Sequence, residues 1–401
     1  MKKKVLFVIN TMGHAGAEVA LLELLRHFSP KEYEVSLYVL LGQGELIHSV
    51  PEYVQVLNTR YSDKSVLSEE GRSDMKKSVL RALFCNGHLF RKVKYLCQNL
   101  VDMKKRGKVQ LDKLLWRVLS DGAQYPKETY DLAVAYLEGG ATYYVADHVQ
   151  AVKKAAFVHI DYENAGYTGL QDKNCYQAFD RIFAVSDEVR GHFLAVYPEY
   201  EDKTSVFHNM INQENISRRS KEQPGFTDGF SGKRLLTVGR LNYQKAYDIA
   251  ISAMKLIKEH GHHVRWYVLG EGECRAAMEK QIAELGLEKD FILMGAVENP
   301  YPYYAQCDIY VHATRYEGKS IAIQEAQTLG CAIIASDCNG NREQIMPKKD
   351  GLLCELTPEG ICACVEELLL DEEKRRCLGR AAGEKKFAYD EDMKMLQSML
   401  Q

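Results

Sequence analysis

Several absences narrow this sequence before any motif is read. Its eleven cysteines include no Cys-x-x-Cys pair, and the nearest two, Cys362 and Cys364, sit in an apolar helical stretch. The odd count argues against a complete disulfide framework and the spacing against a zinc site. Buried structural thiols in a reducing cytoplasm are expected instead. No run approaches the roughly 18 to 20 apolar residues a membrane-spanning helix needs. The first apolar run, Val5 to Ile9, is too short for a signal sequence and has no small-residue cleavage site after it. It is expected as a buried strand, in a protein that is cytoplasmic or held at the inner face of the cell membrane. Neither sign of charge dominates: the formal net charge is -3, which disfavours a surface built to grip nucleic acid. No full Gly-x-Gly-x-x-Gly follows the first strand. The second strand ends in Leu40-Leu41-Gly42-Gln43, with no acidic residue to hold a ribose, so a nicotinamide dehydrogenase is disfavoured.

What is present is a two-part α/β pattern. The 401 residues exceed one comfortable core. Short apolar strands alternate with amphipathic helices twice over, first from Val5 to Phe207 and again from Arg234 to Leu369. Each repeat implies a mostly parallel sheet covered by helices on both faces, a Rossmann-like domain. Between them Ser217 to Gly232 is polar, with Pro224 and three glycines, and reads as a linker. The expected organisation is a domain at 1–216, a linker at 217–232, a domain at 233–388 and a terminal helix at 389–401 able to cross back to the first. Two open α/β domains should turn their strand C-termini toward a shared crevice, where ligands bind.

One segment stands apart. Arg72 to Arg117 holds thirteen Lys or Arg against three Asp, a net charge of 13 - 3 = +10 in a chain of -3. Apolar residues such as Leu80, Phe84, Phe90, Val93, Leu96 and Leu114 interleave at helical spacing. Such helices are drawn to anionic lipid, although a solvated face is the ordinary alternative. No aromatic stacking motif suggests nucleic acid.

Chemistry gathers in four places. Glu317-Gly318-Lys319-Ser320-Ile321 leads from a strand into a helix that carries Glu325. The unpaired N–H groups and positive dipole end at Ser320 suit a phosphate. The two carboxylates would repel that phosphate unless they bind neighbouring hydroxyls; read alone, they are equally a loop charge and a solvated helix position. Val238-Gly239-Arg240-Leu241 with Gln244-Lys245-Ala246 places two cations after a strand, where they can neutralise a diphosphate. A later strand ends at Gly270. In the first half, Gly13-His14-Ala15-Gly16-Ala17-Glu18 is a glycine turn opening a helix, and Phe157-Val158-His159-Ile160-Asp161 ends a strand with groups able to orient a sugar hydroxyl.

The Glu317-x7-Glu325 segment resembles the signature of family-four-type retaining glycosyltransferases of the GT-B fold. The Val-Gly-Arg-Leu…Gln-Lys stretch is similar to that family's diphosphate motif, with Ala246 where glycine is usual. Tyr136 to Asp161, Ala184 to Asp187 and Ser336 to Glu343 resemble bacterial capsule and exopolysaccharide transferases. The resemblance covers nearly all the chain except Ser62 to Gln124. It implies that Glu317 contacts the donor sugar and Glu325 the ribose. Arg240 and Lys245 would hold the diphosphate. Gly16, Gly270, Gly318, Lys319, Ser320 and Ile321 would line the donor, and His14, His159 and Asp161 would lie on the acceptor side. Glu317, His159, Arg240 and Lys245 are the catalytic candidates. The donor would be a nucleotide-sugar, UDP-sugar first, and the acceptor a glycan or lipid-linked hydroxyl. No cofactor or metal is expected, because no Asp-x-Asp lies near the donor motifs; the one such spacing, Asp390 and Asp392, falls in the tail. A non-catalytic partner subunit and a transferase acting on a soluble sugar are the alternatives.

Overall fold

The computed structural model describes residues 2–66, 68–87, 89–106, 111–163 and 165–401. The chain divides into two compact units, Met1–Met210 with Ala388–Gln401, and Ile211–Phe387.

The first unit is built on seven strands: β1 Lys3–Ile9, β2 Tyr33–Val39, β3 Gln55–Val56, β4 Thr129–Ala135, β5 Gln150–Val158, β6 Arg181–Ala184 and β7 Thr204–Val206. Their order is β3-β2-β1-β4-β5-β6-β7, all parallel. Helices cover both faces, so β1 is buried continuously from Val5 to Ile9 and does not alternate. The terminal helix Asp390–Ser398 belongs to this unit. Met393, Leu396 and Leu400 join the core of Val5, Phe7 and Phe183. Asp392 pins the helix by accepting from the His208 backbone N–H at 3.1 Å, with the His208 ring 3.2 Å away.

The second unit has six strands: β8 Lys233–Val238, β9 Val264–Leu269, β10 Phe291–Gly295, β11 Ile309–His312, β12 Ile333–Ser336 and β13 Leu352–Cys354. Their order is β10-β9-β8-β11-β12-β13, again all parallel. The helix Tyr247–Glu259 shows the pattern that places such helices: Tyr247, Ala250, Ile251, Met254 and Ile257 recur at three- and four-residue steps and are all buried.

One expectation is corrected here. The segment 217–232 is not a free linker but part of the second unit. Phe226 packs on Tyr267 and Tyr303, with ring centroids 4.4 and 5.0 Å apart. Asp228 pairs with Arg265 at 2.6 Å. Its polar composition suggested a solvated stretch, but those polar groups have fixed partners.

The basic segment forms the helices Glu69–Phe84, Leu89–Lys105 and Leu111–Gly122 of the first unit. Residues 107–110 lie outside the described residues. Two of its cations face inward. Lys92 is buried and donates to the Ala82 and Cys85 carbonyls, both at 2.7 Å, closing the C-terminal end of the first helix. Arg117 is buried against the Tyr143 ring and pairs with Asp147 at 2.5 Å. Arg72, Lys76, Lys77, Arg81, Arg91, Lys94, Lys104, Lys105 and Arg106 are exposed, as are Leu80, Phe84, Phe90, Val93 and Val101. Among the described residues no helix is long and apolar enough to cross a membrane.

Candidate functional site

In an open parallel sheet, ligands bind beyond the strand C-termini where the strand order reverses. In the second unit that point lies between β8 and β11, which pair at Leu235–Ile309 and Leu236–Tyr310. The segments leaving these two strands carry most of the donor-side candidates.

β8 runs into Gly239 and the exposed Arg240. A short turn, Tyr243–Lys245, then leads to Ala246, which sits at φ +49° in the left-handed region. Glycine adopts that conformation without a Cβ clash, which explains why glycine is usual at this position. The Lys245 ammonium points back and donates to Glu317 Oε2 in the segment after β11. The same oxygen lies 3.1 Å from His312 Nε2, and His312 Nδ1 lies 3.1 Å from the Tyr310 hydroxyl. Burial, then the nearby Lys245 charge, depresses the His312 pKa, so the ring is neutral. A neutral ring donating to a carboxylate carries its proton on Nε2, and Tyr310 then donates to Nδ1. Burial pushes the Glu317 carboxyl up, but Lys245 and His312 outweigh it and bring the pKa to about 2. Glu317 is thus a fixed carboxylate. Lys245, expected as a cation awaiting phosphate, is held by Glu317.

Backbone contacts zip the two segments together. Gln244 accepts from the Arg315 N–H at 2.8 Å, and its side chain donates to the Tyr316 carbonyl at 2.9 Å. Arg315 stacks over Tyr243 at 4.0 Å and pairs with Asp248 at 2.6 Å. Gly270 at the end of β9 is required by packing: a Cβ there would lie 2.0 Å from the Gly239 carbonyl oxygen.

Beyond Glu317, Gly318 and Lys319 lead to Ser320, which caps the helix Ile321–Thr328 without a side-chain hydrogen bond to it. The first-turn N–H groups beginning at Ile321 therefore keep their donor capacity from Ser320. Glu325 is buried, not solvated. It accepts from Tyr301 at 3.1 Å and Tyr304 at 3.3 Å. Burial raises its pKa to about 7 despite both hydroxyls and Arg219.

In the first unit the strand order reverses between β1 and β4. Asn10, just past β1, accepts from the Ala141 N–H at 2.7 Å and donates to the Glu138 carbonyl at 3.1 Å. Glu138 accepts from the His159 backbone N–H at 3.0 Å. The His159 ring lies against Tyr136, its centroid 5.1 Å away. Its Nε2 is buried with no hydrogen bond among the described residues, and burial drops its pKa to about 3. Asp161 lies 3.6 Å from His192 Nδ1 on the helix Asp187–Val196. His14 and Gly16 are exposed at the start of the helix Gly16–Arg26, and Glu18 on that helix is buried and accepts from Thr11 at 2.9 Å.

Sequence reasoning did not assign His312, Tyr301, Tyr304, Glu138, His192 or Gly340 to the site. A Cβ on Gly340 would fall 1.9 Å from the Gly318 carbonyl oxygen, so this glycine lets the Glu317–Gly318 loop settle. A polar residue closing an apolar strand was the available signal for His312.

Residues 226–385 match the family model described as glycosyl transferases group 1. A Campylobacter jejuni N-acetylgalactosamine-N,N'-diacetylbacillosaminyl-diphospho-undecaprenol 4-alpha-N-acetylgalactosaminyltransferase is 30% identical over 190 residues, 47% of this chain and 50% of that protein. The capsular polysaccharide biosynthesis glycosyltransferase CapM of Staphylococcus aureus is 26% identical over 167 residues, 40% of this chain and 44% of that protein. The chain spans about half the length of the curated relatives it matches. The crystal structure of Anabaena Alr3699/HepE in complex with UDP and glucose aligns with a TM-score of 0.68 at 14% identity, covering 99% of each chain. The fold is that of the GT-B glycosyltransferases.

Proposed function

We propose, on the premise that residues 226–385 are a group 1 glycosyl transferase domain, that this chain moves a hexose-type sugar from a nucleotide-sugar to a hydroxyl of a glycan or lipid-linked acceptor, with retention. The observation that carries the reading is the Tyr310–His312–Glu317–Lys245 relay at the β8/β11 reversal, beside exposed Arg240 and the N-terminus of Ile321–Thr328. A diphosphate placed there meets Arg240, Lys245 and the helix dipole, groups that stabilise charge as the leaving group departs. The anomeric C–O bond breaks toward the diphosphate through an oxocarbenium-like state. The acceptor hydroxyl attacks from the same face, and its proton passes to the departing phosphate oxygen. Glu317, held ionised, suits contact with the sugar hydroxyls, and Glu325 is assigned to the ribose. His159, Asp161 and His14 are assigned to the acceptor.

UDP is the proposed nucleotide, supported by the UDP bound to the similar Anabaena structure. A lipid-linked acceptor is supported by the diphospho-undecaprenol substrate in the name of the Campylobacter relative. The proposed place of work is the cytoplasmic face of a membrane, reached through the exposed cations and apolar side chains of 72–117. Polysaccharide or capsule synthesis is the setting this suggests. The donor site is proposed to need no metal, since Arg240 and Lys245 can neutralise the diphosphate themselves.

The test is a panel of nucleotide-sugars measured by thermal shift, followed by nucleotide release from whichever donor stabilises the chain. Stabilisation and release by a UDP-sugar in the presence of a chelator are expected. Binding without release, even with acceptor lipids supplied, would favour a non-catalytic partner subunit. Strict dependence on added magnesium or manganese would overturn the metal-free assignment.

A further inference from the structure

A second constellation lies in the same unit at the opposite end of the sheet, beside the N-terminus of β9. His260 ends the helix Tyr247–Glu259 and His262 stands just before β9. Cys362 and Glu366 are one turn apart on the helix Pro358–Leu370, which packs against the first helix. One carboxylate oxygen, Glu366 Oε1, lies 2.8 Å from His260 Nδ1 and 2.8 Å from His262 Nε2. Cys362 Sγ lies 3.9 Å from the same His260 nitrogen. The ligand atoms of His260, Cys362 and Glu366 all fall within 4.8 Å of one another.

We propose that His260, Cys362 and Glu366 form a three-ligand zinc site, with His262 bonded to the same carboxylate, that clamps the turn before β9 to the helix Pro358–Leu370. Imidazole nitrogen, thiolate sulfur and carboxylate oxygen are all ligand atoms that zinc takes in proteins, and a water can complete the tetrahedron. Ideal zinc bond lengths put neighbouring donor atoms about 3.4 to 3.6 Å apart. Entry of the ion would open the His260–Glu366 contact by roughly half an ångström and draw the sulfur toward His260 by a few tenths. Two of the donors sit on a helix at i and i+4, one above the other. The third, His260, stands at the C-terminal end of the helix Tyr247–Glu259. The Cys362 side chain is buried while His260 is half exposed, which gives a closed floor and an open mouth. On binding, the Cys362 thiol releases its proton to solvent. The His260 imidazole carries its proton on Nε2, facing away from the metal.

The site is not part of the donor chemistry. The helix Tyr247–Glu259 begins next to Ala246 and ends at His260, and its 13 residues separate the two by about 20 Å. Its role is to tie together elements 102 residues apart in the chain.

Chain stripped with a chelator and titrated with zinc chloride should take up one ion per chain and melt several degrees higher. His260→Ala, at a half-exposed position that tolerates truncation, and Glu366→Gln should each weaken uptake by at least about tenfold. Cobalt in place of zinc should give a thiolate charge-transfer absorption that Cys362→Ser removes and Cys377→Ser, at an exposed cysteine outside the cluster, preserves. Absence of uptake by the unaltered chain would overturn the proposal. So would uptake that His260→Ala and Glu366→Gln leave unchanged, or a cobalt absorption insensitive to Cys362→Ser.

Discussion

The ammonium of Lys245 is bound to the carboxylate of Glu317, 72 residues further along the chain, across the reversal between β8 and β11. Their side chains are 15% and 13% exposed, so the pair is largely shielded from water. Lys245→Ala leaves Glu317 with the neutral His312 ring and no cation, and should destabilise the second unit by roughly 2 to 4 kcal/mol, somewhat less than for a fully buried pair. Adding Glu317→Gln should recover most of that stability while turnover stays lost. Arg240 is exposed, so Arg240→Ala should leave stability within about 0.5 kcal/mol and lower turnover on the order of a hundredfold. Chemical denaturation alongside nucleotide-release assays separates these outcomes. Unchanged stability in Lys245→Ala would mean the pair is not formed in solution.

Glu317 and Glu325 give opposite dependences on pH. With its pKa lowered from 4.5 to about 2, Glu317 contributes stability that is present above pH 4.5 and lost as the pH falls toward 2. With its pKa raised from 4.5 to about 7, Glu325 contributes stability that is complete below pH 4.5 and lost as the pH rises through 7. Glu325→Gln should therefore flatten the decline between pH 4.5 and 8, while the acid limb set by Glu317 persists. Melting temperatures across that range are the measurement, and an unchanged slope in the variant would exclude Glu325 as its source.

The assignment of Glu325 to the ribose has its own consequence. A hydrogen bond to a charged group contributes about 1.5 to 3 kcal/mol, so the titration belongs above the Glu325 pKa of about 7, where the carboxyl is ionised. Glu325→Ala should weaken binding of the free nucleotide by about ten- to a hundredfold in calorimetric titration. Unaltered affinity would leave Glu325 as a partner of Tyr301 and Tyr304 only.

Ala246 holds a left-handed conformation that a Cβ disfavours by about 1 to 2 kcal/mol. Ala246→Gly should relieve this, less the extra backbone entropy that glycine loses on folding. A gain of up to about 1 kcal/mol in denaturant unfolding is expected. A loss of stability would show that packing of the buried Ala246 methyl outweighs the strain.

The exposed cations of 72–117 should make membrane binding require anionic lipid and weaken with salt, since each contributes roughly 1 kcal/mol near such a surface. Replacing Lys76, Lys77, Lys104, Lys105 and Arg106 with Gln should release the protein from anionic vesicles without unfolding it, because all five side chains are exposed. Co-sedimentation at low and high salt decides. Equal pelleting on neutral and anionic vesicles, or none on either, would retire the membrane role.

Much of this protein was legible in its residues because the signals were local. Continuous apolar runs such as Val5 to Ile9 and helices repeating at three and four residues report their own backbone. The Glu317-x7-Glu325 spacing likewise placed one carboxylate before a helix and one inside it. The two-residue strand β3 and the three-residue β13 were not legible, since pairing to a neighbour defines them more than their own composition does. The segment 217–232 read as a linker because composition cannot reveal that Phe226 will meet Tyr267 or that Asp228 will meet Arg265.

By itself, then, the sequence determined the α/β class, the two sheets and the residue types that leave each strand. The tertiary structure alone decided which strand ends are neighbours. Strand order is set by how helices pack across a sheet, and that is a property of many weak contacts summed over distance, invisible in any window of the chain. It put Lys245 on Glu317 and His312 behind them. It turned Lys92 and Arg117 inward from a basic stretch and buried Glu325 against two tyrosines. It also brought His260 and His262 to Cys362 and Glu366, a meeting no spacing in the chain announces.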